Sequence, residues 1–414
     1  MGYQNDSYQT EIVKIYNKDG ALEQASKSEE VFILVKQTPF YAESGGQVGD
    51  TGTITGKDFL LEVLDTQKMA GDTFVHLCEV KQGEAKLGAK VRLEIDLLRR
   101  ESVKLNHSAT HLLHAALKKV LGDDVKQAGS RVSDQSLRFD FNYDAKVEAE
   151  QISLIQKIVN DKVRQNIEIQ TETLPIDEAK QKGATALFGE KYGEIVRVVS
   201  MGEDSIEFCG GTHASRTGDI GLFNIISETS VSSGVRRIEA LTGKGSEQLL
   251  NERTEILKDI ASKLSSKEKE LPKRVSTLIS KISDLEQEIE ALKGKVHLNS
   301  SKSDFEFKRE DGVKVVIKEL EKASPADLRQ VADHIRNEQK DTCVLAVSEL
   351  EGKAIFLTAV SSNLTDKFHA GNLIKEIIAV TGGKGGGRAD LAQAGGADPS
   401  KTSLGLEKFK ELLK

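Results

Sequence analysis

Cysteine is scarce in this chain of 414 residues: Cys78, Cys209 and Cys343 are the only three, and they lie far apart. A disulfide scaffold needs more, so a reducing compartment and a cytoplasmic location are expected. Long apolar runs are also missing, since no window approaches the roughly eighteen consecutive apolar residues of a membrane helix. Association with a membrane is therefore not expected. The opening residues Met1-Gly2-Tyr3-Gln4-Asn5-Asp6 lack the basic-then-apolar pattern of a signal peptide. Nor is there a basic excess. A net charge of −7 argues against a nonspecific nucleic-acid binder, while leaving room for local patches that read one end of an RNA. What remains is a soluble composition, 30% charged and 38% hydrophobic, long enough for two or three domains with cores of their own.

Against that background two pairs of metal-ligating residues stand out. His107 and His111 are four apart in an apolar helical stretch, which puts both imidazoles on one face. Cys209-Gly210-Gly211-Thr212-His213 supplies a thiolate and a third imidazole across a tight glycine turn. Three imidazoles and a thiolate form a ligand set that zinc prefers. Histidine totals eight and cysteine three, and four of these eleven residues fall in the two pairs, which is hard to ascribe to half-buried helix histidines alone. A His-Glu-x-x-His peptidase carries its general base beside the first histidine, but here that place is Ser108, so peptidase chemistry is excluded. Four protein ligands would close a structural zinc site as readily as serve a catalytic one, and both readings stay open. His114 shares the helix face and reads as a half-buried helix residue.

The expected fold is a multidomain α+β chain. Residues 1–95 carry short β-branched runs at 12–16, 31–35, 60–64 and 91–95, which predict a small β-barrel. Between them a glycine-dense loop holds Gly45, Gly46 and Gln47; it reads either as a hairpin with positive φ or as bare backbone approaching a ligand. Residues 96–243 predict an α+β zinc-containing domain, with a helix from His107 past Val120, a strand at 137–141, a helix at 152–163 and a strand at 195–199. Residues 244–298 predict a helical coiled-coil linker. Leu271, Val275, Leu278, Ile282, Leu285, Ile289, Leu292 and Val296 alternate spacings of four and three, a seam of period 3.5. An earlier helix ends before Pro272, so an intramolecular helical hairpin is expected, with a homodimer through this region as the alternative. After a linker at 298–303, residues 304–414 predict an α/β module ending in a glycine-rich loop. There Lys384, Gly385, Gly386, Gly387 and Arg388 offer charge and bare N–H groups to a phosphate backbone. The loop lacks the Walker pattern, which argues against nucleotide hydrolysis.

Read together, the motifs Thr38–Gln47, His107–Leu117, Gln127–Ser130, Leu137–Phe141, Ala186–Gly193, Cys209–His213, Gly234–Ala240 and Gly385–Gly396 resemble the C-terminal half of alanyl-tRNA synthetase. The resemblance implies an editing domain, a coiled-coil linker and a C-terminal tRNA-binding domain. Threonyl-tRNA synthetases share the zinc constellation, but the Cys-Gly-Gly-Thr-His form and the glycine-rich tail look alanyl-type. The resemblance implies zinc-dependent hydrolysis of seryl- or glycyl-tRNA(Ala), with zinc on His107, His111, Cys209 and His213 and with Thr110, Gln127 and Ser130 in the editing pocket. It further implies tRNA contacts from Gly45, Gly46, Gln47 and Arg236 at the acceptor end, and from Lys384–Arg388 at the elbow. The sequence contains neither the class II catalytic domain nor the helical tRNA-recognising domain of the family's aminoacylating members. ATP-dependent alanine activation is therefore not carried over. A piece of a full synthetase, a free-standing trans-editing protein and a non-enzymatic tRNA-binding module with structural zinc all fit the sequence.

Overall fold

A computed structural model describes residues 2, 3, 5–69, 73–185, 193–299 and 301–414, with side chains at 290, 291 and 293–302 outside the description. Most of the Ala186–Gly193 motif lies outside the described residues. The chain divides into two compact units, Met1–Asp259 and Ile260–Lys414.

The first unit opens with strands β1 (Ser7–Asn17), β2 (Gly20–Leu22), β3 (Gln24–Ser26), β4 (Glu30–Val35), β5 (Gly52–Thr55), β6 (Leu60–Met69), β7 (Thr73–Gln82), β8 (Glu84–Lys86) and β9 (Lys90–Ile95). Their order is β2-β1-β4-β7-β6-β5-β9, and β1 also pairs with β9, so six strands close into the expected barrel. Alternation drives the closure: Val31, Ile33, Leu61, Val63, Val91, Leu93 and Ile95 point inward and are buried. Beyond the barrel come α1 (Leu97–Leu121), β10 (Gln127–Val132), β11 (Leu137–Asn142), α2 (Ala149–Arg164), β12 (Gln170–Pro175), α3 (Ile176–Gln181), β13 (Ile195–Ser200), β14 (Ile206–Phe208), β15 (Asn224–Ser232), β16 (Val235–Leu241) and α4 (Gly243–Lys263). A sheet of order β10-β11-β16-β15 shares one core with α1 and α2, and β12-β13-β14 form a second, smaller sheet.

Helix α1 is the axis of this unit. Asp96 caps it by accepting from the Arg99 N–H at 3.0 Å, and its middle is buried on nearly every side, from Asn106 to His114. A helix enclosed in that way has no solvent face to spend polar residues on, so each polar side chain needs an internal partner. The barrel is tied to α1 by a buried ion pair, Arg100 Nε donating to Asp50 Oδ1 at 2.8 Å.

The second unit takes in the end of α4 and continues with α5 (Leu271–Asn299), β17 (Ser301–Lys308), β18 (Lys314–Glu321), α6 (Pro325–Glu338), β19 (Thr342–Leu350), β20 (Lys353–Val360), α7 (Ala370–Thr381), β21 (Lys384–Gly387), β22 (Leu391–Ala397) and α8 (Thr402–Leu412). The sheet order is β17-β18-β19-β20-β22-β21, with only β18 and β19 parallel among its pairings. Central β19 and β20 are apolar on both faces because α6 covers one face while α7 and α8 cover the other. Two expectations change here. Among the described residues of the expected linker at 298–303, α5 continues to Asn299 and β17 starts at Ser301. The glycine-rich segment is no free loop either, since Lys384–Gly387 pair antiparallel with β22 as an edge strand.

Candidate functional site

Helical spacing brings His107 and His111 together as expected, their ring centroids 5.3 Å apart, and the turn after β14 brings Cys209 and His213 onto them. One ligand atom from each of the four residues lies within 4.8 Å of all the others, so the cluster could hold a metal ion. Cys209 Sγ sits 3.4 Å from His107 Nε2 and 3.2 Å from His213 Nε2.

The opposite ring nitrogens are held by oxygens. His107 Nδ1 lies 2.7 Å from Gln47 Oε1, His213 Nδ1 lies 3.2 Å from Ser108 Oγ, and His111 Nδ1 lies 2.8 Å from Glu207 Oε2. The amide oxygen at His107 and the carboxylate at His111 can only accept, so Nδ1 carries a proton in both and Nε2 is the atom left for a metal, whereas the Ser108 hydroxyl at His213 can play either role. Each orienting group is itself pinned. Gln47 accepts from Thr212 N–H at 2.8 Å and donates to Thr212 Oγ1 at 2.9 Å, and Ser108 Oγ accepts from Ala214 N–H at 3.1 Å. Glu207 reaches a second imidazole, His114 Nδ1, at 3.0 Å. His114 is thus a buried partner of that carboxylate rather than a half-buried helix residue.

Electrostatics follow from this crowding. Burial works against a thiolate at Cys209, but His107, His213 and His111 outweigh it and hold the thiol well below its usual range. Burial and the neighbouring His107 push His213 down to about 3. At His111 burial opposes the charged form, yet Glu207 and Cys209 prevail and raise it to about 10. Burial would likewise raise Glu207, and His111 and His114 reverse that and keep it ionised.

His107, His111 and Cys209 of the cluster line a cavity of about 250 Å³ that Thr110, Gln127, Ser130, Gly45, Tyr41 and Arg197 also line. Thr110 Oγ1 donates to Asn106 O at 2.9 Å, and Gln127 Nε2 donates to Ser130 Oγ at 3.2 Å. The glycine loop is a hairpin with positive φ. Gly45 and Gly46 have φ of 57° and 83°, between Ser44 and Gln47, whose backbones exchange hydrogen bonds of 3.2 and 3.0 Å, which makes a two-residue hairpin turn. That turn also lies against β10, where Val132 N–H donates to Gly46 O at 2.8 Å. Gly211 is bare for a different reason: a Cβ there would overlap the His107 ring.

Other expected contacts are placed differently. Gln47 is fully buried with its amide spent on His107 and Thr212, a place that orients the cluster and leaves no amide atom facing solvent. Arg236 is paired along the sheet with Glu228, Nε to Oε1 at 2.6 Å and Nη2 to Oε2 at 2.7 Å. Lys384 through Arg388 belong to the second unit and are exposed. Motif reading misses Arg197. Its guanidinium donates to the carbonyls of Cys209 at 2.9 Å and Gly211 at 2.8 Å and lies 4.5 Å over the Tyr3 ring. Its signal in sequence is a lone arginine inside the apolar run Ile195–Val199.

Three stretches of the chain match known families. Residues 1–99 match the family described as tRNA synthetases class II (A), residues 196–239 the threonyl and alanyl tRNA synthetase second additional domain, and residues 312–414 the DHHA1 domain. The C-Ala domain from Aquifex aeolicus alanyl-tRNA synthetase is similar at 33% identity, over 27% of this chain and 97% of that one, with a TM-score of 0.25. A DHH-domain member of the s1p family of ribosomal proteins matches at 19% identity over 34% of each chain, with a TM-score of 0.27. Three family models in this order along one chain make it an alanyl-tRNA synthetase-like protein.

Proposed function

We infer that this protein edits: it hydrolyses the ester joining a wrongly attached serine or glycine to the 3′ end of tRNA(Ala). The observation that carries the reading is one cavity lined by His107, His111 and Cys209 together with Thr110, Gln127 and Ser130, with His213 Nε2 3.2 Å from the same sulfur. The discrimination problem supplies the motive. A pocket shaped for alanine cannot strongly reject a side chain with one added hydroxyl, so accuracy calls for a second, hydrolytic site.

Zinc fits the donor set. In a tetrahedral zinc site, bonds of about 2.0–2.1 Å to nitrogen and about 2.3 Å to sulfur put donor atoms about 3.5 Å apart. The 3.4 and 3.2 Å separations from Cys209 Sγ are close to that. Zinc held there supplies positive charge beside the ester and keeps Cys209 as a thiolate. The chain's own residues do the rest. Thr110, its proton given to Asn106, presents lone pairs to a serine hydroxyl or to a water. Ser130 accepts from Gln127 and keeps its own proton for the substrate. The full set of four protein donors also favours a second reading, in which zinc only shapes the wall.

Purified protein given seryl-tRNA(Ala) is expected to release serine and leave alanyl-tRNA(Ala) largely intact. Cys209→Ala should lower both bound zinc and serine release. No release above buffer from the zinc-loaded chain sinks the editing reading and leaves a tRNA-binding module with structural zinc.

A further inference from the structure

A second groove, of about 700 Å³, adjoins the metal cavity and shares Tyr41, Ser44 and Gly210 with it. Two aromatic rings stand open in its lining, Tyr3 at 50% and Phe74 at 39% exposure. Lysines 36 and 68 line it too, and no acidic residue does so among the described residues. Glu11 meets Lys36 at 2.9 Å from outside that lining. Tyr3 is held in place: its hydroxyl donates to Gly210 O at 2.5 Å, and Arg197 covers one face of its ring. A ring fixed on one face by a guanidinium and half open to solvent is a stacking platform at the mouth of the cavity.

The geometry points to this groove as the track for the unpaired 3′ nucleotides of the tRNA, with bases stacking on Tyr3 and Phe74 and phosphates passing Lys36 and Lys68. The inference rests on the editing reading for its direction, since the terminal ribose must end beside the metal cluster. Aromatic faces accept any base, and lysines take phosphates without reading sequence, so the track holds a single strand irrespective of its bases. Continuity with the cavity and the absence of carboxylates among the described lining residues favour RNA over a protein partner.

The test uses the full chain and two RNA hairpins copying an acceptor stem, one with the unpaired 3′ end and one blunt, neither aminoacylated. Wild type should bind the overhang hairpin more tightly. Tyr3→Ala and Phe74→Ala should each weaken that binding by about tenfold, leave the blunt hairpin unaffected, and so shrink the preference. Tyr3→Phe should keep it, because the stacking ring remains. An overhang preference unchanged in both alanine variants overturns the track, whatever the hydrolysis assay gives. So does a wild type that fails to distinguish the hairpins, or a concentration-dependent mass that falls in the variants while the preference stays. Loss of seryl-tRNA hydrolysis in a wild type that still prefers the overhang would instead refute the editing reading alone.

Discussion

Glu207 lies between two imidazoles, fully enclosed, with His111 Nδ1 2.8 Å from one oxygen and His114 Nδ1 3.0 Å from the other. A carboxylate in that place orients a metal-ligating histidine and raises its basicity, and removing such a partner commonly costs about 10- to 100-fold in metal affinity. Glu207→Gln keeps the shape but can no longer accept from both rings. We expect a zinc dissociation constant raised within that range, measured by chelator competition, together with an altered absorption spectrum of the cobalt-substituted protein. Wild-type affinity and spectrum would remove Glu207 from the orienting role. Nothing in the local sequence announces this residue. His107 and His111 are legible because one helical turn brings them together, and Cys209 and His213 because a glycine turn does. Their supports are not local: Gln47 reaches His107 across 60 positions, Ser108 reaches His213 across 105 and Glu207 reaches His114 across 93. Partners at such separations are chosen by tertiary packing, which leaves no periodic trace.

Among the elements, α5 is the most legible, its period of 3.5 marking the helix without a gap, whereas β10, β14, β15, β16, β17 and α8 escape a reading by pattern. Strands short of β-branched runs acquire their state from neighbours; Gln127-Ala128-Gly129-Ser130 is a strand because β11 pairs with it. Lys384–Gly387 follows the same logic, since β22 supplies the order that glycine lacks. The seam itself is open: Val275, Ile282, Leu285, Ile289 and Leu292 are between 42% and 56% exposed. Apolar side chains at coiled-coil spacing gain by burial against a second helix, and a second copy of α5 offers a matching row. Light scattering of the full chain is expected to show a dimer that Leu278→Ser with Leu285→Ser converts to a folded monomer. A monomer in both proteins would leave the intramolecular hairpin as the partner for the seam.

At the scale of the molecule the candidate metal cluster lies wholly within residues 1–259, and the exposed Lys384 and Arg388 lie in the other unit. If those cations meet the tRNA backbone, they add affinity without affecting chemistry at the ester. Lys384→Ala with Arg388→Ala should raise KM for full-length seryl-tRNA and flatten the salt dependence of binding, by about 0.7–0.9 in log–log slope for each phosphate no longer neutralised. Hydrolysis of a serylated acceptor minihelix should be unchanged. An equal KM for both substrates in the variant and wild type would refute that contact. The Gln47–Thr212 bond has a consequence for biosynthesis. It joins positions 165 apart, and the same amide orients His107. A ribosome-bound chain therefore cannot own a finished metal cradle when the barrel emerges, nor when α1 follows it. Competence arrives only once the turn bearing Thr212 has been made and has closed back on the first hundred residues. On the editing reading, proofreading capacity is in that sense a late-born property, denied to any chain that ends before Thr212.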